Sequence, residues 1–137
     1  MKFTNGGAYN TMLSLNNMIQ KFGNKDVSSV LLFGIMRNIR ILCTELKEFE
    51  EIRQKLMEKY KIDEEHKNDE DLNDRIQKCE SELSPITEEE IKVDLHHISY
   101  DFDRVQDILE KVDVPINIQD VISLQLICKQ PEPSPTN

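Results

Sequence analysis

A chain of 137 residues that is 38% hydrophobic and 31% charged can bury one core of moderate size and is too apolar for a disordered segment. It has no tryptophan and only 6% aromatics, so the core must rest on Ile, Leu, Val and Met, which suits packed helices better than an aromatic-rich sandwich. Charge is uneven: residues 1–62 hold 10 basic and 6 acidic side chains, residues 63–90 hold 3 and 12, and residues 91–137 hold 4 and 8, for a net of −9, which disfavours binding along a nucleic-acid backbone and suits basic partners.

In chain order, Met1–Asn5 reads as a short strand carrying Phe3, and Asn5-Gly6-Gly7 as a turn. Ala8–Phe22 has helical spacing in Tyr9, Met12, Leu15, Ile19 and Phe22, with Gly23 placed as a helix-ending glycine. Asp26 is positioned to cap a long helix, Asp26–Ile62, because its carboxylate can accept the free N–H groups of a first turn. Along that helix Leu32, Ile35, Ile39, Leu42, Leu46, Phe49, Ile52, Leu56 and Tyr60 recur every three or four residues, interrupted by Gly34. The short connection predicts an antiparallel hairpin of the two helices.

Asp63–Asp74 is almost continuously polar and reads as an exposed loop or a frayed helix extension. Leu72, Ile76, Cys79 and Leu83 predict a short helix that Ser84-Pro85 ends. Ile91, Val93 and Leu95 then alternate with Lys92, Asp94 and His96, which predicts a half-buried strand; the competing reading is a helix from Thr87 with Glu90 completing a capping box. Ser99 is placed to cap a helix Tyr100–Val112 with Val105, Ile108, Leu109 and Val112 on one face. After Val114-Pro115, Asn117 or Asp120 starts a last helix carrying Ile118, Val121, Ile122 and Leu126. Lys129–Asn137 reads as a disordered tail. The expected fold is therefore mainly α: a long helical hairpin with additional short helices and a minor β element, α+β being the alternative. Residues 1–128 form one domain, with a polar acidic insert at about 63–74.

Candidate sites are few. Asp69, Asp71, Asn73, Arg75, Gln77 and Glu80 fall at the ligand positions of a calcium loop, but Asp74 stands where the turn requires glycine, and a solvated acidic loop is the favoured reading. His96-His97 would point to opposite faces of a strand and so would not share a metal. Asp94 and His96 would share a face as a proton-transfer dyad, yet no nucleophile has a place beside them. Arg37, Asn38 and Arg40 lie off the main stripe and can bind an anion, a nucleotide-like ligand or an acidic partner. Cys43, Cys79 and Cys128 are too far apart, and odd in number, for a disulfide framework or zinc site; Cys43 is expected to be buried. Val30–Met36, the most apolar run, is too short to span a bilayer. Phosphate-binding loops, nucleophile elbows and dinucleotide fingerprints do not occur. No metal and no cofactor is expected.

Leu32-Phe33-Gly34-Ile35-Met36-Arg37-Asn38-Ile39-Arg40-Ile41-Leu42 and Glu45-Leu46-Lys47-Glu48-Phe49-Glu50-Glu51-Ile52-Arg53-Gln54-Lys55-Leu56 resemble the core of a small family from phages of Gram-positive bacteria, catalogued as domain of unknown function 1617. Glu90–Leu95 and Ile98 are similar to its C-terminal part, so that the likeness covers most of residues 8–127. The resemblance implies a phage-encoded viral protein that is not an enzyme, and it transfers no catalytic residues. Two roles follow. One is a host-directed, anti-defence inhibitor in the host cytoplasm that binds a bacterial protein or sequesters a small signalling ligand. The other is a virion or tail-assembly accessory that contacts a phage structural protein. For the first role the acidic residues Asp69, Glu70, Asp71 and Asp74 are the expected partner-binding group, as a nucleic-acid mimic, and Arg37, Asn38 and Arg40 the expected ligand-binding group. Neither direct nucleic-acid binding nor membrane insertion is expected; a homodimer is possible if part of the apolar stripe stays uncovered.

Overall fold

The computed structural model describes residues 1–130. Among them lie a strand β1 (Lys2–Thr4), helices α1 (Asn5–Phe22), α2 (Ser29–Glu45), α3 (Lys47–Lys59) and α4 (Leu72–Thr87), a strand β2 (Glu90–Lys92), and helices α5 (Phe102–Lys111) and α6 (Ile118–Ile127). A single 3-10 turn, Glu64–His66, sits between α3 and α4. The chain is thus mainly α with a minor antiparallel sheet, in which Lys2, Phe3 and Thr4 pair with Lys92, Ile91 and Glu90. The alternation around Ile91 extends one step further, since the Val93 N–H donates to Met1 O at 3.0 Å and Val93 is buried.

α1 begins three residues earlier than its apolar spacing suggests. Thr4 caps it, its hydroxyl oxygen accepting from the Gly7 N–H at 2.9 Å, so Gly6 and Gly7 form the first helical turn rather than a reverse turn. At the other end Gly23 has φ +51°, a left-handed conformation that stops the helix and that a side chain would strain. The chain then crosses to α2 through a turn closed by Lys25 N–H to Phe22 O at 2.8 Å and Val27 N–H to Lys25 O at 3.0 Å. That second bond holds the backbone bent through Asp26, so α2 starts after Ser28 and Asp26 stays exposed.

The expected helix 26–62 is two helices that meet at Leu46, whose φ and ψ are −94° and 5°. Hydrogen bonding continues through the junction, from Leu46 N–H to Leu42 O and from Glu50 N–H to Leu46 O. The partner changes there. α2 packs antiparallel on α1, with Cys43 beside Met12, and the first turn of α3 still reaches α1 through Phe49, edge-on to Tyr9 with ring centroids 5.9 Å apart. α1 starts at Asn5, so α3 runs past its end and packs on α4 instead. Leu46, 2% exposed, anchors the bend in the core.

α4 continues through Pro85 to Thr87. Pro85 lacks only the N–H that would reach one carbonyl of the preceding turn, and the following turn closes by Glu88 N–H to Ser84 O at 3.0 Å. Asp101, not Ser99, caps α5 by accepting from the Arg104 N–H at 2.9 Å. Ser99 is not free to do so because its neighbours are fixed elsewhere: Ile98 N–H donates to Ile127 O and Tyr100 O accepts from Lys129 N–H, both at 2.8 Å.

α6 opens with a reciprocal cap between Asn117 and Asp120, but its inner face is not the expected one. Asp120, Ser123, Leu124 and Ile127 are buried, while Ile118 is 80% and Ile122 48% exposed. Asp120 is turned inward because Ser14 and Lys21 of α1 hold it there. Its carboxylate accepts from Ser14 Oγ at 2.9 Å, from Lys21 Nζ at 2.7 Å and from the Asn117 N–H at 3.1 Å. Burial pushes this carboxyl up, but those bonds outweigh it and hold its pKa below the usual carboxylate range. Of the expected tail, Lys129 and Gln130 are tied to Tyr100 and to the carbonyls of Gln125 and Cys128; residues 131–137 lie outside the described residues.

Candidate functional site

The two faces of α2 divide its residues between structure and surface. The inner face carries Leu31, Gly34, Ile35, Asn38 and Leu42, all buried. Gly34, which looked like an interruption of the stripe, is where the segment after β2 crosses closest: a Cβ there would stand 2.0 Å from Ile98 Cγ2. One turn on, Asn38 is 0% exposed. Its Nδ2 donates to Gly34 O and to His96 O, each at 2.8 Å, and its Oδ1 accepts from the His96 N–H at 2.7 Å. Asn38 therefore clamps the backbone of residue 96 to α2 and has no surface to offer a ligand. This separates it from Arg37 and Arg40, with which the sequence grouped it.

Arg37 and Arg40 lie on the opposite, outer face. They line a groove of about 450 Å³ with Phe33, Met36 and Ile41. Phe33 is 59% and Met36 51% exposed, and the His96 ring meets Phe33 edge-on at 6.4 Å. Of the five arginines of the chain, Arg53 and Arg75 pair with carboxylates and Arg104 stacks on Tyr100. Among the described residues Arg37 and Arg40 do neither.

The acidic segment is arranged differently from a calcium loop. From Leu72 onward it is helical, so Asn73, Gln77 and Glu80 share one face of α4 while Arg75, which meets Asp69 and Asp71, lies on the other, and the six do not converge. The Arg75 guanidinium occupies that position instead, donating to Asp69 at 3.0 Å, to Asp71 and to Lys61 O at 3.4 Å. Asp63 is likewise held by His66, whose hydrogen bond lowers its pKa. Of the four acids grouped by the sequence, Asp69 and Asp71 are thus engaged within the chain. Glu70 and Asp74 are exposed and make no ion pair among the described residues.

The remaining candidates do not assemble. β2 ends at Lys92, so Asp94 and His96 are not on a strand, and no hydrogen bond joins them among the described residues. Cys43 is exposed, contrary to expectation: one residue on from the buried Leu42 it is turned about 100° away, onto the rim of an apolar groove of about 630 Å³ with Tyr9, Met12 and Leu46. Cys79 and Cys128 are buried. Among the described residues no His, Cys, Asp or Glu cluster is arranged to hold a metal, and no helix is long and apolar enough to cross a membrane. Sequence reasoning missed Phe33 and Met36. Their signal was present: they recur at i and i+3, each with an arginine four residues on, and fall between the stripe positions. No known protein family, curated protein or solved structure matches this chain.

Proposed function

We propose that this chain is a phage-encoded, non-enzymatic binding protein that engages a bacterial host protein through the outer face of α2. One observation carries the reading: Phe33 and Met36 are more than half exposed beside two arginines that have no carboxylate among the described residues. Large exposed apolar side chains with charged neighbours are the composition of contact surfaces, in which aromatic residues, Met and Arg are enriched. The phage origin rests on the resemblance of Leu32–Leu42 and Glu45–Leu56, and the host-directed role on a helical scaffold that carries a concentrated acidic segment and no catalytic motif.

The test is affinity capture from bacterial lysate with the wild-type chain and with Phe33→Ser/Met36→Ser, followed by mass spectrometry of protein and small-molecule fractions. Both side chains are exposed, so the variant keeps its fold. A host protein retained by the wild type and lost by the variant supports the reading. Equal capture by both removes it, and a small molecule released from the wild type alone would turn the role into ligand sequestration.

A second reading places the contact on the acidic segment, and it is favoured by Glu70 and Asp74, which are exposed and unpaired among the described residues. It predicts salt-sensitive capture that Asp69→Asn/Glu70→Gln/Asp71→Asn/Asp74→Asn abolishes.

A further inference from the structure

The outer face of α2 also constrains what can cover it. Helical geometry places Val30, Phe33, Met36, Arg37, Arg40 and Ile41 within an arc about 140° wide. That arc is opposite the buried Leu31, Ile35, Asn38 and Leu42. Along the axis these six positions span roughly 16 Å, three turns. The face offers side chains only, since the backbone groups of a mid-helix segment are bonded within the helix. An extended segment laid across it would leave its own N–H and C=O groups without protein partners, whereas a helix brings its backbone already bonded.

Charge narrows the occupant further. Arg37 and Arg40 lie near the middle of the arc, not at its edges, so a partner that covers Phe33 and Met36 must cover the guanidiniums as well. Covering two cations without carboxylates would leave them desolvated and unpaired. Two other classes of partner share the anionic character but fit less well. A nucleic-acid strand carries its charge on a polar backbone and brings no aliphatic side chains to cover Phe33 and Met36, and two exposed large apolar side chains give little purchase on a bilayer.

From these observations we infer that the partner of this face is an acidic amphipathic helix of about three turns, whose apolar side chains seat on Phe33, Met36 and Ile41 and whose carboxylates meet Arg37 and Arg40. The inference rests on the binding role proposed above and names the chemistry of the partner.

The test uses the intact chain and a lactam-stapled, fluorescein-labelled peptide of roughly four turns, with Leu at i, i+4 and i+7 and Glu flanking each Leu. A companion peptide carries Lys in place of every Glu. Fluorescence anisotropy is expected to show binding of the Glu peptide to the wild type, weakened about tenfold or more by Phe33→Ser and by Arg37→Glu/Arg40→Glu. The charge-reversed variant should in turn bind the Lys peptide. Circular dichroism of each variant reports its fold, and Arg37→Gln/Arg40→Gln gives a milder variant of the same interaction. The inference is overturned if the Glu peptide does not bind, if both peptides bind the wild type equally, or if single-stranded DNA or phosphatidylglycerol vesicles bind in preference. It is equally overturned if the chain self-associates through Phe33, as sedimentation would show, since the occupant is then a second copy. Phe33-dependent capture of a host protein without binding of the Glu peptide would overturn the partner chemistry alone.

Discussion

Asn38→Asp replaces one amide nitrogen by oxygen at a position that is 0% exposed. The retained oxygen still accepts from the His96 N–H, but the new oxygen faces two carbonyls, Gly34 O and His96 O, that were each 2.8 Å from a donor. Gly34 O keeps its helical bond; His96 O is left without its partner. An unsatisfied buried acceptor costs about 1–3 kcal/mol, and the opposed oxygens and buried carboxylate add to that, giving a loss of about 3 kcal/mol at pH 7. For a chain of this size that is a fall of roughly 10 °C in melting temperature.

The pH dependence has a definite sign. Burial among carbonyls raises the folded-state pKa of the new carboxyl above its unfolded value of about 3.9. A group raised in this way takes up its proton in the folded state, and as the acid it can donate to one of the two carbonyls. The penalty is therefore smallest below the unfolded pKa and grows as pH rises through the folded pKa. Urea unfolding followed at 222 nm, for wild type and variant at pH 4 and pH 7, measures both quantities. A loss below about 1 kcal/mol at pH 7, or a gap between the two proteins that does not widen with pH, would refute the clamp as described.

Gly34→Ala should lower stability by about 1 kcal/mol, because overpacking against the stiff Ile98 methyl, 2.0 Å from the new Cβ, exceeds the gain in helix propensity; adding Ile98→Ala should cost less than the sum of the two changes, by urea titration. Asp120, whose carboxyl is held below the usual range, contributes stability above its unfolded pKa of about 3.9 that is lost as pH falls through its folded pKa. The melting temperature of Asp120→Asn should accordingly be lower than wild type at neutral pH and fall less steeply below about pH 4. A water-soluble disulfide reagent at neutral pH should label Cys43 in the folded chain, while Cys79 and Cys128 react only on unfolding, Cys128 having its thiol pushed up to about 11 mainly by burial and further by Asp101. Arg75→Ala should change global stability by less than about 1 kcal/mol, since its partners Asp69 and Asp71 are exposed, yet speed hydrogen exchange in residues 63–71.

Helix content was legible because local spacing and local packing agree over long stretches. The i, i+3, i+4 pattern of Ala8–Phe22 and of Ile35, Leu42, Leu46 and Phe49 reflects real inner faces, whereas Ile52 further along the stripe is exposed, and Gly23 ends α1 as its position suggests. Boundaries failed where a distant contact decides them. Thr4 gains its cap because β1 pairs with β2. Leu46 breaks the long helix because α1 ends and α4 takes over as partner. Asp101 replaces Ser99 as a cap because the backbone on either side of Ser99 is bonded to Ile127 and Lys129. None of these facts is written in the residues beside the boundary.

The site residues divide along the same line. Asn38 looked like part of a surface group because it stands between two arginines, but a helix turns about 100° per residue, so adjacent positions belong to different faces. Phase alone would have shown that Leu31, Ile35, Asn38 and Leu42 share one face. What phase does not show is why a polar residue should be tolerated there, since the answer is the backbone of residue 96, fifty-eight positions away. The same contact fixes the outer face. By holding residue 96 on α2, Asn38 keeps the His96 ring against Phe33, so the buried amide and the exposed aromatic are two sides of one arrangement. The His96 ring steadies Phe33 alone; among the described residues Met36 has no such aromatic contact, and Arg37 and Arg40 have no ion-pair or stacking partner, so covering this face means ordering three long side chains at a cost in conformational entropy. The acidic segment differs in kind: its best-placed carboxylates are already occupied by Arg75, and a partner would have to displace that arginine before it could use them.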